Sequence, residues 1–180
     1  MARNPGVPIV NVCETAKTRW RSVPHTGGKG LDLGCGAQRL YDTEFVIGVD
    51  DGSDQAMGAA CVPNINIDAR KLTLFANDQF DFVFSSFLLQ YFPLEMAPHV
   101  LREWMRVVKV GGNVVLYLPD AELYPRVGAP DAHPKQLWDV TYDRVVDAMT
   151  KTAWNWDLID FQQCRDDDEY ALYWVFRKLK

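Results

Sequence analysis

The sequence contains no C-x-x-C pair. Its four cysteines, Cys13, Cys35, Cys61 and Cys164, are dispersed, and the three histidines, His25, His99 and His133, do not stand at ligand spacing to them. That pattern excludes a structural zinc site and supplies no disulfide framework, so no metal and free thiols in a reducing compartment are expected. No run of about 18 apolar residues is present to span a membrane. The opening MARNPGVPIVNV also lacks the apolar core of a signal peptide. A basic excess is missing as well. The 19 Lys and Arg face 24 Asp and Glu, a net charge of −5 that argues against unaided binding to a nucleic-acid backbone or an anionic membrane. The expectation is a cytoplasmic protein with no membrane insertion and no nucleic-acid partner. Internal repeats, low-complexity tracts and a convincing domain boundary are absent too, so residues 1–180 read as a single domain.

What is present is alternation. After residue 28, apolar runs alternate with helical patterns, which reads as α/β. Strands are expected at Gly30 to Leu33, Phe45 to Asp50, Ile65 to Asp68, Phe80 to Ser85 and Asn113 to Leu118. These runs are near-continuously apolar, as in strands buried on both faces of a parallel sheet. Pro63 places the third at a sheet edge, where a missing N–H costs little. Residues 1–28 carry loops and one short helix around Glu14 to Val23. A longer helix is predicted over Glu95 to Val108, with Leu101, Trp104, Met105 and Val108 on one face and Gly111–Gly112 as its stop. Another is predicted over Thr141 to Met149, burying Tyr142, Val145, Val146 and Met149. The tail, Trp156 to Gln163 and Tyr170 to Lys178, should form an antiparallel hairpin. Its turn, Asp166 to Asp168, reads as solvated rather than metal-binding.

The chemistry sits in KGLDLGCGAQ, Lys29 to Gln38. Gly34 and Gly36 form a turn after the first strand, but the third glycine of a dinucleotide fingerprint is absent. Asp32 beside that turn would repel a pyrophosphate, which wants N–H groups and no nearby negative charge. A phosphate-free adenosine bearing an ammonium and a sulfonium fits instead: S-adenosylmethionine. Asp50 ends the second strand, where a carboxylate can accept from both ribose hydroxyls. Asp68 ends the third, where it can accept from an adenine amino group. All three acids fall on the carboxyl edge of the sheet, the edge where open parallel sheets bind ligands.

The ordered set LDLGCGAQ, VIGVDD, INIDARKL, DQFDFVFSSFLLQYF and LREWMRVVKVGGNVVLYLP resembles the successive motifs of class I S-adenosylmethionine-dependent methyltransferases of the methyltransferase type 11 kind, over about Lys29 to Pro119. The resemblance implies a Rossmann-like, mostly parallel seven-stranded sheet with an antiparallel last strand and helices on both faces. It divides the domain into an N-terminal segment (1–28), a cofactor-binding half (29–119) and an acceptor-side half (120–180). It implies cofactor contacts from Asp32, Gly34, Cys35, Gly36, Asp50, Asp51, Asp68, Ala69, Ser85 and Ser86. Asp32 would orient the methionine end, Asp50 would hold the ribose, Asp51, Asp68 and Ala69 would lie by the adenine, and Ser85 and Ser86 would pass beneath the methionine. Two departures stand out. Gln38 occupies the third glycine position, and only eight residues separate Gly36 from Phe45, so the first helix must be very short. Gln90 and Tyr91 stand where relatives often have Glu-His.

Methyl transfer to an amine or thiolate needs no dedicated base, whereas a hydroxyl acceptor usually does. His133, in the loop after the fifth strand with Tyr124 and Asp131, is the candidate base. His25 could serve if the N-terminal segment folds over the site, and His99 reads as exposed. Cys35 reads as packing, with no base beside it. The [DNS]-P-P-[YF] motif of base N-methyltransferases and the Pro-Cys pair of cytosine-C5 enzymes are absent. LPDAELYPRVGAPDAH and DDDEYALYWVFRK are similar to methyltransferase domains associated with bacterial surface-glycan synthesis, some fused to glycosyltransferases. Trp138, Trp154, Trp156, Tyr170, Tyr173 and Trp174 could stack on sugars. A small-molecule or glycan hydroxyl is therefore the expected acceptor, with a glycosyltransferase or another protein as possible partner. Two alternatives remain open: a catalytically silent cofactor-binding module acting through a protein partner, and a nicotinamide-dependent oxidoreductase.

Overall fold

The computed structural model describes residues 14–36, 39–53, 63–166 and 168–180. Cys13, Cys61, Gln38 and Asp167 lie outside the described residues.

Seven strands form one sheet in the order β3-β2-β1-β4-β5-β7-β6. They are β1 (Gly30–Leu33), β2 (Val46–Asp50), β3 (Ile65–Asn66), β4 (Phe80–Ser86), β5 (Val108–Pro119), β6 (Trp156–Cys164) and β7 (Ala171–Lys178). The first five run parallel, and β7 is antiparallel to both β5 and β6. The expected strands, the edge position of β3 and the terminal hairpin are all present. Alternation splits the core into two layers. Val114, Leu116 and Leu118 of β5 face one layer, while Val115 and Tyr117 face the other.

Helix α2 (Ala97–Val107) and helix α3 (Tyr142–Thr150) cover the first layer. Leu101, Trp104 and Met105 are fully buried. Each such side chain contributes about 1.5–3 kcal/mol by leaving water. A separate 3-10 turn, Leu94–Met96, precedes α2, and Pro98 fixes φ in the first helical turn, so the helix starts later than Glu95. Its end also differs from expectation. Gly111–Gly112 do not stop it, because the chain is already extended at Val108. The carbonyls of Arg106 and Val107 accept from the backbone N–H groups of Asp78 and Gln79, which satisfies the helix end without a glycine. Gly111, at φ +83°, belongs instead to a bulge in β5, where the register shifts between Phe80 and Phe82. In α3 the buried stripe is Val145, Ala148 and Met149. Tyr142 is exposed and meets Phe161 edge-on.

The second layer is thinner. No helix occurs in the described residues between Gly36 and Val46, although a very short one was expected. Helix α1 (Glu14–Ser22) and the 39–45 loop take that place. Arg19 donates from Nε to the Leu40 carbonyl (2.7 Å) and from Nη2 to that of Arg39 (3.2 Å), and Leu40 is fully buried.

Glu14, Lys17 and Arg21 share one face of α1 and dock on the approach to β7. Tyr170 donates its hydroxyl to Glu14 (2.6 Å), Lys17 pairs with Asp168 (3.3 Å), and Arg21 grips Glu169 with both Nη atoms. The anchor lies mainly in Glu169 and Tyr170, just after the acidic turn, whose Asp166 and Asp168 are exposed. No described helix is long and apolar enough to cross a membrane.

Candidate cofactor and acceptor site

The carboxyl edge of the parallel strands is built around the glycine turn. Gly34 and Gly36 adopt φ of +70° and +52°, a region that suits a residue without Cβ. The N–H groups of Gly34 and Cys35 both donate to the Val49 carbonyl (2.8 and 3.3 Å), tying the turn to β2. The two glycines differ in what surrounds them. A Cβ on Gly34 would meet the Leu88 side chain at 2.9 Å, whereas one on Gly36 would meet nothing within 4 Å among the described residues. The turn is thus packed on the segment after β4 at one end, while its other end meets no described residue. Cys35 is buried, with Sγ over Gly48, in keeping with the packing reading.

Asp50 is half-buried at the end of β2. Its Oδ2 accepts from Gly36 N–H (3.0 Å) and its Oδ1 from Gly52 N–H (2.8 Å). Each oxygen retains a further lone-pair position. Asp51 is exposed and accepts from Ser53 N–H.

Asp32 has another setting. It is 1% exposed, and its Oδ2 accepts from Leu40 N–H at 2.6 Å. Burial pushes its pKa up to about 7, against the smaller opposing pulls of that N–H and of Arg39. It holds the loop that stands in for the first helix.

Asp68 is committed to its neighbour. Arg70 donates to both of its oxygens, with a shortest distance of 2.7 Å, and these bonds hold the Asp68 pKa below the ordinary range. Ala69 is buried, and its carbonyl accepts from the Trp104 indole (2.8 Å). At the end of β4, the buried Ser85 hydroxyl donates to the Leu33 carbonyl (3.0 Å). Ser86 Oγ is buried with no partner among the described residues.

The acceptor-side loop closes on this edge. Phe87, at φ +52°, gathers Tyr117, Tyr124 and Tyr170 at centroid distances of 5.7, 5.8 and 6.0 Å. Tyr91 stacks on His133 at 4.9 Å and 20°. His133 Nδ1 accepts from Lys135 N–H at 3.3 Å. Lys135 Nζ reaches Ser53 Oγ (3.3 Å), so the loop spans to the β2 turn.

The other histidines lie elsewhere. His25 bonds Asp160 (3.2 Å), and its carbonyl accepts from Asn113, at the opposite edge of the sheet, so the N-terminal segment does not bring it to the site. His99 is exposed on α2. Of the aromatic residues considered for sugar stacking, Trp138, Tyr173 and Trp174 are buried, Trp156 packs on Phe176, and Trp154 lies under the Lys178 ammonium. Only Tyr170 among them reaches this edge. Phe87 and Glu14 went unnoticed in the sequence, because a positive φ and a helix-docking contact leave no local pattern.

The methyltransferase-domain family model matches residues 31–116. No curated protein matches the chain. Among solved structures, the chain is similar to the PH0226 protein of Pyrococcus horikoshii OT3 (23% identity, TM-score 0.66, 92% of this chain and 88% of that one). It is also similar to an S-adenosylmethionine-dependent methyltransferase from Mesorhizobium loti (17%, 0.61, 93% and 99%). A third is the Haemonchus contortus phosphoethanolamine N-methyltransferase 1, solved with phosphoethanolamine and S-adenosylhomocysteine (18%, 0.68, 92% and 43%). At these identities the structural likenesses show the fold. Residues 31–116 are thus similar to a methyltransferase domain, and the sheet order is that of the fold these solved structures share.

Proposed function

We propose that this enzyme methylates a small-molecule acceptor held at the β4 exit, among Phe87, Tyr91, Tyr124 and His133. The observation that carries the reading is the pairing of Asp50 with Gly36. A carboxylate fixed by two backbone N–H groups borders the one glycine of the turn whose Cβ direction is open. That hollow suits an adenosine cofactor: Asp50 toward the ribose hydroxyls, Gly34, Cys35 and Gly36 along its backbone, and Ser85–Ser86 beneath the methionine. Asp51 and Ala69 border the adenine, and Asp68 reaches it only while shared with Arg70. Asp32 acts one step removed, through the Leu40 loop. S-adenosylmethionine supplies an already activated methyl group, so the protein's work is to position the acceptor and exclude water.

A glycan hydroxyl draws support from Tyr170 alone among the aromatic residues first considered. It also needs a base, and the Nδ1 of His133 is already engaged by Lys135 N–H. The lack of a helix among the described residues after the glycine turn favours one further reading, a silent module acting through a protein partner such as a glycosyltransferase.

Incubation with S-adenosylmethionine and pooled small-molecule and glycan acceptors separates these readings. Acceptor-dependent release of S-adenosylhomocysteine with a methylated product is expected. Cofactor binding with no release from any pool would leave the silent module.

Asp50→Ala should weaken cofactor binding by about 1.5–3 kcal/mol, read by calorimetry, since two hydrogen bonds to a charged acceptor are lost. Unchanged affinity would mean the ribose lies elsewhere. The two glycines should part company. Gly34→Ala should lower the melting temperature, because its Cβ runs into Leu88. Gly36→Val should instead chiefly reduce cofactor affinity, by tenfold or more. Normal binding by the Gly36 variant would show that the turn does not line the pocket.

A further inference from the structure

Gln90 is 1% exposed, and its side-chain Oε1 is buried with no hydrogen-bond donor among the described residues. Its place in the fold is specific. It lies in the 3-10 turn Leu89–Tyr91, two residues after the Leu88 whose side chain packs on Gly34 and directly before the Tyr91 ring that stacks on His133. Its backbone carbonyl accepts from Leu137 N–H (2.9 Å), which pins the acceptor-side loop to the same turn. A buried acceptor without a donor is costly and rare, and it needs a reason.

We propose that Gln90 Oε1 receives an N–H of the methyl acceptor, and that the acceptor is a neutral amine. This rests on the methyltransferase reading above and adds the acceptor class to it. A carboxamide oxygen only accepts hydrogen bonds, so its ligand must carry a donor hydrogen. That excludes thiolates, carboxylates and carbanions as the group it orients. It also selects between the two remaining donors. A carboxamide oxygen is too weak a base to remove a hydroxyl proton, and an alcohol has only the one O–H to give, so an alcohol bound there would keep its proton and stay a poor nucleophile. A neutral amine is nucleophilic as it stands. With one N–H donated to Oε1, its lone pair is left free to face the methyl group. The N–C bond forms as the C–S bond breaks, the bonding pair leaves on sulfur as a neutral thioether, and the extra proton of the product ammonium passes to water.

The test uses butylamine, benzylamine and phenethylamine against butanol, benzyl alcohol and phenethyl alcohol. The parent protein, Gln90→Leu and Gln90→Glu are compared, and S-adenosylmethionine affinity is measured separately by calorimetry. Methylation of amines is expected, with kcat/KM rising about tenfold per pH unit up to each amine's own pKa. Gln90→Leu should lose at least tenfold in kcat/KM for amines while binding the cofactor within twofold of the parent. Gln90→Glu, which keeps an accepting oxygen, should recover much of that loss. The proposal is overturned if alcohols and not amines are methylated, or if no amine is methylated by protein that binds the cofactor. It is equally overturned if Gln90→Leu turns over at the parent rate or loses cofactor binding. A parent protein that binds no S-adenosylmethionine would strike the broader function instead.

Discussion

Asp32→Asn should abolish most of a stability loss that the parent protein suffers between pH 4 and pH 8. Asp32 is buried, and its folded pKa of about 7 lies well above the ordinary carboxylate value. The unfolded chain therefore releases this proton near pH 4, while the folded protein keeps it to near pH 7. Between those values the folded state binds more protons, so stability falls as pH rises. The contribution is whole below about pH 4 and lost by about pH 7. Three pKa units correspond to roughly 4 kcal/mol. For a domain of this size that is a drop in melting temperature on the order of 10 °C. Asparagine can still accept from Leu40 N–H through its carbonyl, and it does not titrate. Subtracting the variant's pH–stability curve from the parent's removes the contribution of every other group. A difference that stays flat from pH 4 to 8 would mean that Asp32 is not buried as described.

Arg21→Met should be the most damaging single change away from the site. Arg21 is buried, and Glu169 faces it with both oxygens engaged. The Tyr117 hydroxyl adds a third hydrogen bond to Glu169 (3.2 Å). Removing the guanidinium strands a carboxylate in the thinner layer of the core, and breaking a buried pair in this way costs about 3–5 kcal/mol. The melting temperature should fall by roughly 10 °C. Adding Glu169→Gln should restore part of the loss, because the stranded charge rather than the lost contact dominates it. A single variant melting within a degree or two of the parent would show that α1 is not anchored through this pair.

Both results turn on α1 and the 39–45 loop, the part of the molecule least legible in the sequence. The strands could be read because burial on both faces makes near-continuous apolar runs, and Gly34 and Asp50 because a turn and a strand end leave a local signature. Asp32 could be located but its bonding could not. Its partner, Leu40 N–H, comes from a loop standing where a helix was expected, and only tertiary structure decides that. Gly111–Gly112 misled for a related reason. Glycines after a helical stripe suit a helix stop, but here pairing of Val108 with Phe80 ended the helix first and the glycines became a bulge. Asp168 looks solvated in isolation, and only the docking of α1 reveals its Lys17 partner. Gln90 was visible as a departure from Glu-His, yet its unpaired oxygen shows only in the folded chain.

The central claim is that the Asp50–Gly36 hollow accepts a phosphate-free, cationic adenosine and rejects a dinucleotide. Calorimetric titration of the parent protein with S-adenosylmethionine, S-adenosylhomocysteine and NAD in one buffer tests it directly. Saturable binding of the first two and none of the third is the predicted result; measurable NAD binding, or heat from none of the three, would contradict it.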